Sequence, residues 1–137
     1  RLNCLMGAWM SMTGVITGAR LGASHAIGHI LGGSAGVPHG HTSCIMLPYV
    51  LDWNASVNGD LQKDIAAAMG QANTPLPHVL DQFIRKLDMP RRIRDTGVGK
   101  GDLVRLAENC MLDDWTFSNP RKIQTPEQVL EILKIAY

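Results

Sequence analysis

Four of the five histidines, His25, His29, His39 and His41, fall in one short stretch of the chain. His25 and His29 are four residues apart, a spacing that puts two side chains on one face of a helix. Gly32, Gly33 and Gly36 then allow a sharp reversal, and Pro38 stiffens the return. His39, fourteen residues after His25, is thereby able to come back to the same cavity. Neutral imidazole is a good ligand for Fe(II), Zn(II) or Ni(II), and it is also the side chain best suited to moving protons near pH 7. The competing reading is plain: the same histidines could cap helices or pair with carbonyls in a core. His41 follows Gly40 at a helix start and could simply be solvated, and the isolated His78 reads as structural.

Charge makes the metal reading more demanding. Two or three neutral imidazoles leave a divalent ion uncompensated, and non-haem iron sites include a carboxylate. Yet residues 1–51 contain no Asp or Glu, and all 12 carboxylates lie between Asp52 and Glu131. Either a distant acid folds back onto the histidines, or protein outside this chain completes the ligand set.

The elements that must position these residues read as helices. Cys4–Ala19 is apolar but too short for a comfortable membrane span of about 20 residues, and Ser11, Thr13 and three glycines dilute it. It is expected to be a helix buried on most faces, with Gly7, Gly14 and Gly18 permitting close contacts. Gly22–Leu31 is a helical segment carrying His25 and His29, and Gly32–Pro38 reads as a loop. A helix from Gly40 to Trp53 should kink or break near Leu47 because of Pro48. Asn58-Gly59 marks a turn before a helical Asp60–Met69. Pro75 and Pro77 open a helix to Leu87 with an apolar stripe of Leu76, Val79, Leu80, Phe83, Ile84 and Leu87. Asp102–Leu112 repeats that pattern, and Thr125-Pro126-Glu127-Gln128 is a capping signature before the last helix. No alternating strand, internal repeat or low-complexity tract appears, so the fold class is all-α.

Other groups read as background. Gly97–Gly101 lacks a phosphate-loop pattern and is a turn. Arg91-Arg92-Ile93-Arg94 is a solvated basic loop; with few aromatics and no broad basic footprint, a nucleic-acid partner is not expected. Asp113-Asp114 reads as a surface pair at a helix end, and Cys44 as packing. The 137 residues, net charge +1 and 45% apolar content describe one globular helical domain, not a disordered or membrane chain. Three scattered cysteines with no CxxC pair fit a reducing, cytoplasmic setting.

The run Gly22-Ala-Ser-His25-Ala-Ile-Gly-His29 through Pro38-His39-Gly40, continuing to Leu47-Pro48-Tyr-Val50 and Asn54, resembles the iron-containing alcohol dehydrogenase family, with the flavour of its maleylacetate reductase-like branch. The ending, Asn119-Pro120-Arg121 to Leu133, resembles the same family's C-terminal segment. The resemblance implies an NAD(P)-dependent oxidoreductase acting on a small alcohol or carbonyl, with an α/β cofactor domain preceding a helical, metal-carrying bundle. It implies that His25 and His39 are metal ligands, for Fe(II) or Zn(II), and that His29 is the histidine near nicotinamide and substrate that relays a proton. The family's other two ligands, an Asp and a His, and its Gly-rich cofactor turn have no counterpart in this sequence. The expectation is therefore a helical fragment, residues 1–137, inactive alone. The alternative is a non-catalytic helical module from a truncated gene that associates with itself as a homo-oligomer.

Overall fold

A computed structural model describes residues 1–137 as eight α-helices and two short 3₁₀ turns, with no strand. The helices are α1 (Leu2–Ser11), α2 (Thr13–Ile16), α3 (Ala23–Ala35), α4 (His39–Ala68), α5 (Leu76–Arg85), α6 (Leu103–Cys110), α7 (Asp114–Phe117) and α8 (Pro126–Ala136). Helix α3 packs on α4, α6 and α7; α4 packs also on α5 and α8, and α6 on α8. One apolar core joins them, with Ile27 and Leu31 from α3, Ile45 and Met46 from α4, Leu106 from α6 and Leu133 from α8 all buried. A smaller cluster of Ala66, Leu76 and Val79 ties α5 to the far end of α4.

The long helix differs from its sequence reading in an instructive way. Pro48 does not break α4, which runs on to Ala68; the one non-helical residue inside it is Asn58 (φ −137°, ψ 24°). Proline lacks the N–H that would bond the carbonyl four residues earlier, here that of Cys44. The Arg85 guanidinium, arriving from α5, lies 3.4 Å from that carbonyl and takes the place of the missing donor. At the true kink, Gln62 donates to both the Leu51 carbonyl and Asn58 Oδ1, each at 2.8 Å, and so holds the bend that Asn58-Gly59 signals.

The glycine loop is shorter than expected. Gly32 and Gly33 stay helical, and α3 ends only where Gly36 enters the left-handed region at φ 69°. The amides of Gly36 and Val37 bond back to the carbonyls of Gly32 and Leu31, which closes the helix end. The apolar stripe of α5 is also narrower: Leu76, Val79 and Ile84 are buried, but Phe83 and Leu87 are exposed because no element covers that side.

The N-terminal reading is corrected outright. Helices α1 and α2 bury no residue, and Trp9 and Ile16 are 70% and 77% exposed. Gly7, Gly14 and Gly18 have nothing within 4 Å of a built Cβ, so they serve no close helix contact. Apolar composition set the expectation of burial, but no partner helix lies against this segment. At the other end, the capping box of Thr125 and Gln128 forms as its sequence indicates. The Arg91–Arg94 loop is pinned to the bundle and not merely solvated. Arg91 pairs with Asp81 at 2.9 Å, and the Arg92 guanidinium sits 5.4 Å from the centre of the Tyr49 ring.

Candidate metal and proton-transfer site

Two helices and one short link build the site. The first turn of α3 carries His25 and the second His29, on one face by their spacing. The reversal at Gly36–Pro38 delivers His39 as the first residue of α4. The separation of α3 from α4 is set at Gly28, where a Cβ would stand 2.9 Å from Thr42 Oγ1. Thr42 is itself fully buried, and its hydroxyl donates to the His39 carbonyl at 2.8 Å, so the residue that meets Gly28 also holds the His39 backbone.

The start of α3 is fixed from a distance. Buried Asn119 accepts a bond from the Ala23 amide, which is one of the free donors at the helix N-terminus. Its carboxamide also exchanges two bonds with that of Asn54 on α4, at 2.7 and 3.2 Å. Asn54 accepts in turn from the Arg121 amide, and the Arg121 guanidinium stacks 3.7 Å from the Trp53 ring. The Asn119-Pro120-Arg121 segment thus clamps α3 to α4 and fixes the angle at which His25 and His29 emerge.

The three imidazoles meet. Ring centroids are 4.9 Å apart for His25–His29, 5.5 Å for His25–His39 and 6.3 Å for His29–His39. Burial, reinforced by the neighbouring His29 and His39 rings and opposed by Asp113, holds His25 below its ordinary pKa and in the neutral form that binds metals. Two imidazoles on one ion, with metal–nitrogen bonds of about 2.1 Å and a near-tetrahedral spread, stand about 5 Å apart between ring centres. Both the His25–His39 and the His25–His29 spacings lie near that distance. No group of three or more His, Cys, Asp or Glu side chains converges closely enough to hold an ion.

The carboxylate that sequence distance hid is Asp113. It was expected at the surface, but it lies 18% exposed, with Oδ2 at 2.8 Å from His29 Nδ1. An acid does fold back onto the cluster, and it meets His29 instead of joining the His25–His39 pair. Trp115, two residues on, packs its ring 5.1 Å from His25 and 4.9 Å from His29 between centroids. Neither residue stands out by local pattern, because 84 residues separate Asp113 from His29. The signal that could have found them is the helix-start pattern of α7, where Asp113 Oδ1 caps the Trp115 amide at 2.9 Å. Asp114 beside it is exposed, as expected of both. A groove of about 620 Å³ opens beside His29 between Ser34, Asn109, Asp113 and Trp115.

The remaining candidates fall elsewhere. His41, two residues round the helix from His39, lines a separate groove with Arg85 and Asp95. His78 is exposed near the start of α5, and Asp52 is exposed on α4 by the hollow at its kink. Cys44 is half-buried, consistent with packing, and all three cysteines are free.

Comparison with known proteins now decides the lineage. The whole chain, residues 1–137, matches the family described as Fe-containing alcohol dehydrogenase family, C-terminal. The chain belongs to the iron-containing alcohol dehydrogenase family. A 1,3-propanediol dehydrogenase of Citrobacter freundii is 33% identical over 87% of this chain and 33% of its own length. A maleylacetate reductase of Pseudomonas aeruginosa is 28% identical over all of this chain and 37% of its own. The solved structure of an alcohol dehydrogenase from Oenococcus oeni superposes with a TM-score of 0.75 at 31% identity, covering 85% of this chain and 33% of that one. The all-α bundle is therefore the C-terminal helical domain of this family, and the chain spans about a third of the length of the curated relatives it matches.

Proposed function

We propose that the chain is the helical metal-site part of an NAD(P)-dependent oxidoreductase that moves hydride between a nicotinamide and a small carbonyl or alcohol. The observation that carries this reading is the convergence of His25, His29 and His39 on one patch, in a chain of this family. His25 and His39 supply two neutral imidazole ligands, and the remaining ligands come from protein outside the 137 residues. Fe(II) or Zn(II), when bound there, acts as a Lewis acid on the substrate oxygen. His29, at the mouth of the groove and 39% exposed, delivers or removes the proton on that oxygen. Cofactor binding is assigned outside this chain as well, since Gly97–Gly101, with Val98 buried in the core, leads only into the short 3₁₀ turn Lys100–Asp102 ahead of α6. The free cysteines fit a cytoplasmic setting.

The test is NAD(P)H oxidation with small aldehydes in the presence of Fe(II) or Zn(II). The isolated chain is expected to show no turnover, and sustained turnover would refute its dependence on outside residues. In a longer enzyme containing this chain, His29→Ala should lower kcat by about 10²–10⁴-fold; unchanged turnover would remove His29 from its role. A second reading, a self-associating non-catalytic module, draws on the uncovered apolar helix α1. Light scattering separates the two, because metal-independent oligomers without metal affinity would favour the module.

A further inference from the structure

The geometry points to Asp113 as the positioning residue that fixes the tautomer of His29 and leaves Nε2 as the atom that exchanges the proton; this rests on the reading of His29 as the proton relay. A carboxylate offers only acceptors, so a 2.8 Å contact between Asp113 Oδ2 and His29 Nδ1 requires the hydrogen on Nδ1. In the neutral ring Nε2 then carries the free lone pair, and it has no hydrogen-bond partner within the chain. The carboxylate is itself immobilised: its Oδ1 accepts from the Trp115 amide at 2.9 Å, and its own amide bonds the Cys110 carbonyl at 3.2 Å. Trp115 finishes the arrangement by packing against the His29 ring with an interplanar angle of 39°. One short segment, Asp113–Trp115, therefore sets both the proton position and the plane of the imidazole.

The partition matters for chemistry at the groove. A free histidine side chain in water favours the Nε2–H form, which would make Nε2 a donor and not a base. Bonding Nδ1–H to Asp113 reverses that preference, so His29 can accept a proton from an alcohol at Nε2. Once protonated it gives that proton up from the same atom while Asp113 keeps the other. No further reactant is needed, because the proton only moves between substrate oxygen and Nε2.

Two-bond ¹H–¹⁵N spectra of the metal-free chain, recorded above the imidazole titration range, test this directly. His29 should show a pyrrole-type Nδ1 and a pyridine-type Nε2. Asp113→Ala should move the ring to the Nε2–H form, while Asp113→Asn, with one carboxamide oxygen to share between the Trp115 amide and Nδ1–H, should retain Nδ1–H only in part. His78, exposed and remote, should not change in either variant. An Nε2–H ring in the wild type, or an unchanged ring in a folded Asp113→Ala chain, would overturn the assignment. In a longer enzyme, Asp113→Ala should lower kcat about 10–100-fold with KM little altered and partial rescue by Asp113→Asn. If the tautomer shifts but neither Asp113→Ala nor His29→Ala affects turnover, the relay reading fails and the positioning contact stands.

Discussion

Asn119→Ala should be the most damaging polar substitution in the bundle, because it removes bonds that no other group can replace. The side chain is 1% exposed and makes four bonds: it accepts from the Ala23 amide and Asn54 Nδ2, and donates to Asn54 Oδ1 and the Arg121 carbonyl. Arg121 is exposed and water can serve its carbonyl. Asn54 Oδ1 keeps the Arg121 amide at 3.2 Å. Two buried donors are left orphaned, the Ala23 amide and Asn54 Nδ2, at about 1–3 kcal/mol each. The expected loss is about 4 kcal/mol, a large share of the roughly 5–15 kcal/mol that holds a domain together. Urea unfolding followed by circular dichroism measures it, with Asn54→Ala and the double variant completing a cycle. Coupling of about 1–2 kcal/mol between the two sites is expected. A loss below about 1 kcal/mol for Asn119→Ala, with an unchanged slope, would show that the clamp does not fix α3.

Three further outcomes follow from the same geometry. Gly28→Ala gains about 1 kcal/mol of helix propensity but crowds buried Thr42 at a cost of about 1–3 kcal/mol, for a net loss of about 1 kcal/mol. The same change in a Thr42→Ala background should instead stabilise, and a gain from Gly28→Ala alone would show that α3 and α4 are not in close contact. Burial pushes the Cys110 thiol up to about 12 while Cys4 is exposed, so thiol reagents at neutral pH should label Cys4 at once and Cys110 only on unfolding. His25 is held below its ordinary value of 6.5, so the unfolded chain takes up that proton more readily. Its contribution is whole above about pH 6.5 and is lost as pH falls from there towards the folded value. Urea midpoints between about pH 7.5 and 5.5 should therefore drop less in His25→Gln than in wild type, and equal drops would exclude His25 as the cause.

The all-α class, the helix carrying His25 and His29 and the reversal to His39 were legible in the sequence because spacing, glycines and a capping box act locally. What was not legible depended on partners. Pro48 should break a helix, yet Arg85 from another helix supplies the donor that the proline removes. Apolar α1 should be buried, yet nothing covers it. Asp113 looked like a surface acid because its partner, His29, is remote in the chain and the contact exists only once α7 packs on α3. Periodicity reports which face of a helix is apolar, but not whether another element arrives to cover it.

The most direct measurement is a Zn(II) titration of the chain followed through its five histidine side chains by NMR. One saturating site should move His25 and His39 together, leave His78 untouched, and vanish in His25→Ala and in His39→Ala. Binding that survives both substitutions, or no perturbation of His25 and His39 at any zinc concentration, would contradict their assignment as metal ligands.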